Sequence, residues 1–342
     1  MRPLLIAAAL LSSCTLVDLA SEGLIVRPRV IAIRAEGPEV RVADSVRLRA
    51  LVAVPPGLDE RVFDLTWIAC DEPSAGRPGE DQDWCAERSR ERVISRATEP
   101  LITIPDSLPA DEVRQMSFVA GYWHRVSAEV RSRDGQFADR AYKRIVVRPA
   151  DIDANLFTMS ANRNPQLPEI EVVLLDSDGR ESVAEGALNA NVDVLFRVDP
   201  AIAEREGYRV LTVDLNGLSP EQIAALSEEG FRERTSVEER RERLTLRHYH
   251  SDGQFGRSQG PNLTLQSTAD APQYYPAEIT WSLNTDGRDE ALPQRVRFWF
   301  VLVDGRGGVS WQVVERAFSA GAASPRLEAM PPQPPPGLSA AR

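Results

Sequence analysis

Cysteine, histidine and one serine motif are the features of this 342-residue sequence that could carry chemistry. The three cysteines are Cys14, Cys70 and Cys85. Cysteine pairs form disulfides in oxidising compartments, whereas in reducing ones cysteines more often bind metals or act as nucleophiles. The compartment therefore decides what these three residues do, and the N-terminus indicates the compartment.

The first residues have the layout of a secretory signal peptide. Arg2 supplies a positive charge, and Leu4 to Leu11 form an apolar run that ends shortly before Cys14. This run is much shorter than the roughly 20 residues that span a bilayer as a helix. The small residues before Cys14 resemble a bacterial lipoprotein cleavage site. The resemblance implies that residues 1–13 are removed and that Cys14 is lipidated; the alternative is an ordinary signal peptide with a buried Cys14.

The residue after the cysteine bears on the location. In lipoproteins of two-membrane bacteria, an aspartate at this position commonly signals retention in the inner membrane. Thr15 stands there, so the resemblance implies the outer membrane, with a lipid anchor at Cys14 and an N-terminal tether over residues 14–27.

With Cys14 assigned to lipid, Cys70 and Cys85 remain as an even pair in an exported chain. We predict that they form a disulfide. A disulfide that closes a loop of about 15 residues raises the free energy of unfolding by roughly 3 kcal/mol, because it lowers the conformational entropy of the unfolded chain. A zinc site is the rival interpretation, but no histidine lies near these two cysteines in the sequence.

His248 and His250 are two residues apart in a predicted strand, so their rings should face the same side. A metal site would need a further ligand such as Asp252, because the third histidine, His124, lies far away in the sequence. We favour two partly exposed strand histidines without a metal.

The run Gly256-Arg257-Ser258-Gln259-Gly260 matches the Gly-x-Ser-x-Gly pattern of a hydrolase nucleophile. That motif requires a helix after it and a histidine later in the chain. Pro261 follows at once, and no histidine occurs after His250. The run is therefore interpreted as a polar loop. We expect no catalytic residue, no cofactor and no enzymatic activity.

Two acidic runs suggest calcium chemistry only weakly. Asp176 to Gly179 looks like the start of an EF-hand loop, but Ala187 stands where the ligating glutamate is needed, so a hairpin turn is predicted. Asp151, Asp153 and Asn155 are similar to the calcium-binding junctions between cadherin-like repeats. Their remaining ligands cannot be identified, and no metal site is assigned.

Charge and composition exclude one class of partner. Forty basic and fifty-one acidic residues give a net charge of −11, which disfavours nucleic-acid binding. Lys143 is the only lysine, which we attribute to the codon usage of a GC-rich genome.

The elements that must position these residues are β-strands. Residues 28–149 contain six or seven short apolar or alternating runs, the number typical of an immunoglobulin-like β-sandwich, and Trp67 is expected to be buried in the third. The predicted strands include Arg29 to Ala35, Val46 to Val54, Val62 to Ile68, Leu101 to Ile104, Val126 to Val130 and Tyr142 to Val147.

The second half repeats the end of the first. Arg125-Val126 precedes Asp134-Gly135 as Arg295-Val296 precedes Asp304-Gly305, at an offset of 170 residues. We predict an all-β protein of two tandem immunoglobulin-like sandwiches, the second over residues 165–320. Residues 150–164 are interpreted as a linker, 219–243 as a helical insertion with capping residues at Ser219 and Ser236, and 321–342 as a disordered Pro-rich tail.

The predicted strand Val296 to Val303 is apolar on both faces. We expect the helical insertion or the first sandwich to cover the face that carries Trp299. If nothing covers it, Trp299 and Trp311 become the candidate surface for a protein partner.

The chain resembles the tandem immunoglobulin-like lipoproteins of myxobacteria and related Gram-negative bacteria. The likeness lies in residues 28–54 and in the closing run from Phe298 to Trp311, and it supplies no catalytic residues. The combined expectation is a non-catalytic, lipid-anchored envelope protein with a structural or protein-interaction role. The alternative is a surface lipoprotein that binds carbohydrate or peptide through loops at a sandwich end, with the 70–85 loop as the contact.

Overall fold

Alternating and doubly apolar runs of the sequence form antiparallel strands in the computed structural model, and nearly all regular structure is β. The structure describes residues 23–58, 63–70, 74–75, 85, 88–105, 122–148, 162–167, 169–176, 178–183, 187–189, 193–198, 208–214, 216–219, 221–222, 225–240, 244–256, 262–265, 277–283 and 292–319.

The first half contributes two sheets. Its strands are β1 (Arg29–Ala35), β2 (Glu39–Arg41), β3 (Ser45–Ala53), β4 (Phe63–Cys70), β5 (Ser74–Ala75), β6 (Glu91–Ser95), β7 (Leu101–Thr103), β8 (Tyr122–Ser132) and β9 (Ala138–Arg148). One sheet has the order β1-β3-β7. The other has the order β2-β9-β8-β4-β6, with β5 also paired to β8.

The second half contributes two five-stranded sheets and a two-stranded ribbon. Its strands are β10 (Ile170–Leu175), β11 (Glu181–Val183), β12 (Leu188–Asn189), β13 (Asp193–Val198), β14 (Tyr208–Val213), β15 (Thr235–Arg240), β16 (Leu244–His250), β17 (Gln254–Phe255), β18 (Asn262–Leu265), β19 (Ala277–Ser282), β20 (Arg295–Asp304) and β21 (Val309–Ser319). The sheet orders are β11-β10-β13-β19-β17 and β12-β21-β20-β16-β18, and β14 pairs with β15.

Each pair of sheets encloses an apolar cluster. In the first half the cluster includes Trp67, which is fully buried as predicted and donates an indole hydrogen bond to the carbonyl of Ala97 at 2.9 Å. In the second half it includes Phe196, Trp281 and Phe298. Side chains that alternate along each strand place one face in these clusters, which is the arrangement of a β-sandwich.

Both predicted Asp-Gly hairpins are present. Asp134-Gly135 connects β8 to β9, and Asp304-Gly305 lies in the turn between β20 and β21. Gly135 has φ of 75°, a left-handed conformation that glycine adopts without steric cost. The offset of 170 residues in the sequence therefore corresponds to two hairpins in the fold.

Within the predicted helical insertion, the described residues form a capped helical turn, a short helix and a strand. Glu221 and Gln222 are helical, and Ser219 caps them as predicted: the amide of Gln222 donates to the Ser219 hydroxyl oxygen at 3.3 Å, and the amide of Ser219 donates to the Gln222 side-chain oxygen at 2.8 Å. A second described helix is α1 (Glu228–Glu233). The capping pattern at Ser236 falls instead in β15, where Ser236 is paired with Thr212 of β14. Local capping signals were overridden here by pairing with a distant strand.

Candidate functional site at the junction of the two halves

Strand β20 is buried on both faces. Phe298 and Phe300 point into the core of the second half, while Trp299 and Val301 face a third apolar cluster. That cluster is completed from the first half by Ile31 and Ala32 of β1, Leu51 and Ala53 of β3, and by the preceding residue Ile25. The prediction that the first sandwich covers this face is confirmed.

This packing shows that Trp299 and Trp311 do not form the surface for a protein partner that the sequence suggested. Trp299 is 1% exposed, and Trp311 is partly buried against the same cluster. Burial of a large aromatic side chain inside the chain leaves it unavailable to a second protein. The face is an internal contact.

A β-bulge allows β1 to serve two clusters. The register of β1 against β3 shifts between Val30 and Ala32. As a result Ile31 and Ala32 both contribute to the junction cluster, whereas Val30 and Ile33 remain in the core of the first half. An extra residue in one strand changes which side the following residues face.

The segment just before β1 is also part of the junction. The amide of Ile25 donates to the carbonyl of His250 at 2.8 Å, and the amide of His250 donates to the carbonyl of Gly23 at 2.9 Å. Leu24 thereby forms a parallel bridge with His250 at the end of β16. The predicted tether over residues 14–27 is corrected at its C-terminal end, because residues 23–25 are docked on the second half.

A polar turn from the second half inserts next to the apolar cluster. One carboxylate oxygen of Asp304 accepts hydrogen bonds from the backbone amides of Arg306 at 2.9 Å and Gly308 at 2.6 Å. A Cβ atom added to Gly308 would lie 2.1 Å from the Asp304 carboxylate and 2.9 Å from the carbonyl of Arg163. The close approach of backbone and carboxylate therefore requires glycine at this position.

Lys143 meets this turn from the first half. Its ammonium group donates a hydrogen bond to the carbonyl of Gly307, and the side chain is buried. Burial lowers the pKa of Lys143 from 10.5 to about 8, and the nearby charge of Asp304 partly offsets that shift. The chain's single lysine thus lies at the junction.

Residues interpreted as linker complete the polar contacts. The amide group of Asn162 donates to the Asp304 carboxylate at 3.3 Å, while its backbone N–H donates to Glu39 of β2 at 2.7 Å. Asn164 donates to the carbonyl of Ala35 at 2.7 Å and accepts from the amide of Val309 at 2.9 Å. The predicted linker 150–164 is therefore corrected at residues 162–164, each of the two asparagines joining both halves.

His248 and His250 face the same side of β16, as predicted, but neither is partly exposed. Both are fully buried, and their rings pack edge-on against Phe255 with centroid distances of 4.4 and 4.8 Å. Burial lowers the pKa of each to about 4. Nδ1 of His250 lies 2.8 Å from the carbonyl of Asp252, whereas neither ring nitrogen of His248 has a hydrogen-bond partner.

Within the described ranges, no three histidine, cysteine or acidic side chains are close enough to hold a metal ion. Nor does any helix in those ranges have the length and apolar character needed to cross a membrane. Asp176 to Gly179 forms the predicted hairpin turn, since a carboxylate oxygen of Asp176 accepts from the amides of Asp178 and Arg180. Residues 257–260 of the serine motif and Asp151, Asp153 and Asn155 lie outside the described residues.

The predicted bond between Cys70 and Cys85 is present, with a Cα–Cα distance of 5.5 Å. Cys70 ends β4, where it pairs with Glu91 of β6. The disulfide therefore connects the end of β4, a strand paired with both β8 and β6, to the segment that precedes β6. Cys14 lies outside the described residues.

A cleft of about 370 Å³ opens where the two halves meet near the start of β20. It is lined by residues 55–57 after β3, by 251–252 after β16 and by 293–295 at the start of β20. We call this the junction cleft. The sequence contained no signal for it, because its three walls are far apart in the chain.

No known protein-family profile matches the chain, and no curated protein sequence matches it. Solved structures give loose fold matches only. The D00-D0 domain of Intimin is 8% identical with a TM-score of 0.20, over 84% of this chain and 100% of that one.

Two further matches are proteins that bind carbohydrate. One is a carbohydrate-binding module of the β-sandwich superfamily, 10% identical with a TM-score of 0.22, over 86% of this chain and 92% of that one. The other is the Bacteroides ovatus protein SGBP-B in complex with a mixed-linkage heptasaccharide, 11% identical with a TM-score of 0.18, over 84% and 47%. Scores this low carry no information about what this chain binds.

Lys143 and the two asparagines are the junction residues that the sequence analysis missed. Lys143 had been attributed to codon usage, yet its being the only lysine among 40 basic residues was the available signal. No pattern in the sequence indicates that Asn162 and Asn164 bridge the two halves.

Proposed function

We propose that this chain is a non-catalytic, lipid-anchored protein of the cell envelope, in which two immunoglobulin-like sandwiches form one rigid structural module. The observation that carries the proposal is the double burial of β20, whose second face is covered by β1 and β3 of the other half. A shared apolar cluster of this kind holds two domains in one orientation, unlike the polar contacts of mobile domain pairs.

Polar contacts support a fixed orientation as well. Asn162 bonds to Asp304 at the end of β20, and Lys143 and Asn164 bond to the turn and the strand that follow it. Buried hydrogen bonds need specific geometry, so rotation of one half against the other would leave several groups unpaired. The N-terminal segment adds a third connection through Ile25 and His250.

The proposed location rests on the sequence. The signal-peptide layout and Cys14 favour a lipid anchor, Thr15 favours the outer membrane, and the bond between Cys70 and Cys85 agrees with an oxidising compartment. A lipid anchor at Cys14 would hold this rigid two-sandwich module close to the membrane, where it could contact an envelope partner.

Fractionation tests the anchor. In a bacterium with two membranes, the full chain is expected in the membrane fraction and the Cys14→Ala variant in the soluble fraction. The two purified proteins should have the same melting temperature. Retention of the Cys14→Ala variant in membranes would contradict lipid anchoring at this residue.

Distance measurement tests rigidity. Spin labels on cysteines introduced at Leu101 of β7 and Val313 of β21, both exposed, should give one narrow distance distribution in the Cys14→Ala background. The same labels in an Asn164→Ala, Lys143→Ala variant should give a broader one. A broad distribution in the parent protein would overturn the proposal of a rigid module.

A further inference from the structure

We propose that the junction cleft is a binding site for a neutral saccharide of one or two sugar rings. This inference goes beyond the proposed structural role and does not depend on the lipid anchor. The cleft volume of about 370 Å³ lies at the small end of the roughly 300–1,000 Å³ found for ligand pockets, which occur preferentially between domains.

The walls of the cleft are held in place before any ligand binds. Arg297 of β20 donates from its side chain to the carbonyl of Val54 at 3.3 Å, next to the first wall. The amide of Arg297 donates to the hydroxyl oxygen of Ser251 at 2.9 Å, and the amide of Ser251 donates to the carbonyl of Arg297 at 3.0 Å. These contacts tie the first wall to the second across the two halves.

The remaining wall positions are also fixed by hydrogen bonds. The carbonyl of Asp252 accepts from the indole of Trp281 at 2.9 Å and lies 2.8 Å from Nδ1 of His250. The carbonyl of Gln294 accepts from the amide of Phe318 at 2.8 Å. A preformed cleft loses little conformational entropy when a ligand binds, which favours binding of small molecules.

The chemistry of the lining favours a neutral ligand with many hydroxyl groups. Three proline rings supply apolar surface, and the Ser251 hydroxyl, Asp252 carboxylate and Gln294 amide supply donors and acceptors. The one cation, Arg295, is bonded to Glu315 at 2.8 Å. The Asp252 carboxylate and the Arg295 guanidinium give the lining one charge of each sign, so it has no net charge that would attract an ion.

An extended peptide is a poorer fit. Peptides commonly bind by adding a strand to an unpaired sheet edge. β20 is paired with β21 from Arg295 onward, but with β16 only from Phe298 onward. Arg297 is bonded to Ser251 on the β16 side, so only Arg295 and Val296 lack a strand partner there. An edge of two residues is too short to hold an added peptide strand.

Titration of the purified Cys14→Ala protein tests this inference. The probes are maltose, cellobiose, lactose and N,N′-diacetylchitobiose, each added to about 10 mM, and the readout is backbone amide NMR shifts. Binding at the junction cleft should move the amide signals of Gly57 and Asp252 and leave that of Gly307 unchanged, because Gly307 follows the end of β20 that is opposite to Arg295.

Matched variants locate the site. Gln294→Leu should weaken binding of the active probe about fivefold, the loss expected for one or two hydrogen bonds. Gln166→Leu makes the same change at an exposed position outside the cleft and should leave affinity unchanged. Glucuronate and glucosamine, which are charged, should bind no better than the neutral sugars.

Any one of three results would overturn the proposal. Either no probe changes the amide signals of the cleft, or the changed signals lie outside the cleft, or only the charged sugars change the cleft signals. Each is separate from the test of the structural role, since loss of sugar binding would leave the spin-label distances and the membrane fractionation unchanged.

Discussion

The side-chain ammonium of Lys143 donates a hydrogen bond to the backbone carbonyl of Gly307, although 164 residues separate them. The contact joins β9 of the first half to the turn between β20 and β21 of the second. The only lysine of the chain thus lies beside the junction cluster and the Asp304 carboxylate. A change in its protonation state therefore acts directly on the contact between the two halves.

Replacing Lys143 with methionine should change how stability depends on alkaline pH. Because burial lowers the folded pKa to about 8, the folded state loses its proton before the unfolded chain does. Between about pH 8 and 10.5 the unfolded state therefore binds more protons, and the contribution of Lys143 to stability rises with pH.

Urea unfolding at pH 7.5 and 9.5 measures this effect. The increase in the free energy of unfolding from pH 7.5 to pH 9.5 should be about 1–2 kcal/mol larger in the parent protein than in Lys143→Met. Lys143→Arg should show no such gain, because arginine stays charged over this range. Equal pH dependence in the parent and in Lys143→Met would contradict the burial of this amine.

The two core histidines should make the protein sensitive to acid. Their folded pKa values of about 4 lie below the unfolded value near 6.5. Their contribution to stability is therefore complete above about pH 6.5 and is lost as the pH falls toward 4, by up to roughly 3 kcal/mol for each histidine.

His248→Leu and His250→Leu form a matched pair for this prediction. His248 has two unpartnered buried nitrogens, so its replacement by leucine should raise stability at pH 7 by about 1 kcal/mol and reduce the acid sensitivity. His250→Leu also removes a titrating group but leaves the carbonyl of Asp252 without its ring contact, so stability at pH 7 should fall. Strong destabilisation by His248→Leu at pH 7 would contradict the cost assigned to its two unpartnered nitrogens.

The disulfide should stabilise the first half locally. Cys70→Ala, Cys85→Ala should lower the free energy of unfolding by about 3 kcal/mol, since the bond closes a loop of 15 residues. Hydrogen exchange should quicken at the paired ends of β4 and β6, where Cys70 faces Glu91, while β20 and β21 keep their protection. Uniformly faster exchange in both halves would show that the bond stabilises the whole body instead.

Local patterns in the sequence were sufficient for most strands. Runs predicted at Arg29 to Ala35 and Val46 to Val54 coincide with β1 and, to within one residue, with β3, because alternation of apolar side chains is a property of neighbouring residues. Strands with charged or mixed composition, such as Glu91–Ser95 and Thr235–Arg240, were missed. Their strand conformation comes from pairing with β4 and β14 rather than from their own sequence.

By itself the sequence determined that the chain is all-β, that Cys70 and Cys85 pair, and that one strand near the C-terminus is apolar on both faces. Only the tertiary structure decided that the first half covers that strand, that residues 23–25 dock on β16, and that Lys143, Asn162 and Asn164 meet the Asp304 turn. Strand formation depends on residues one or two positions apart, whereas these contacts join residues more than 100 positions apart and leave no periodic trace in the chain.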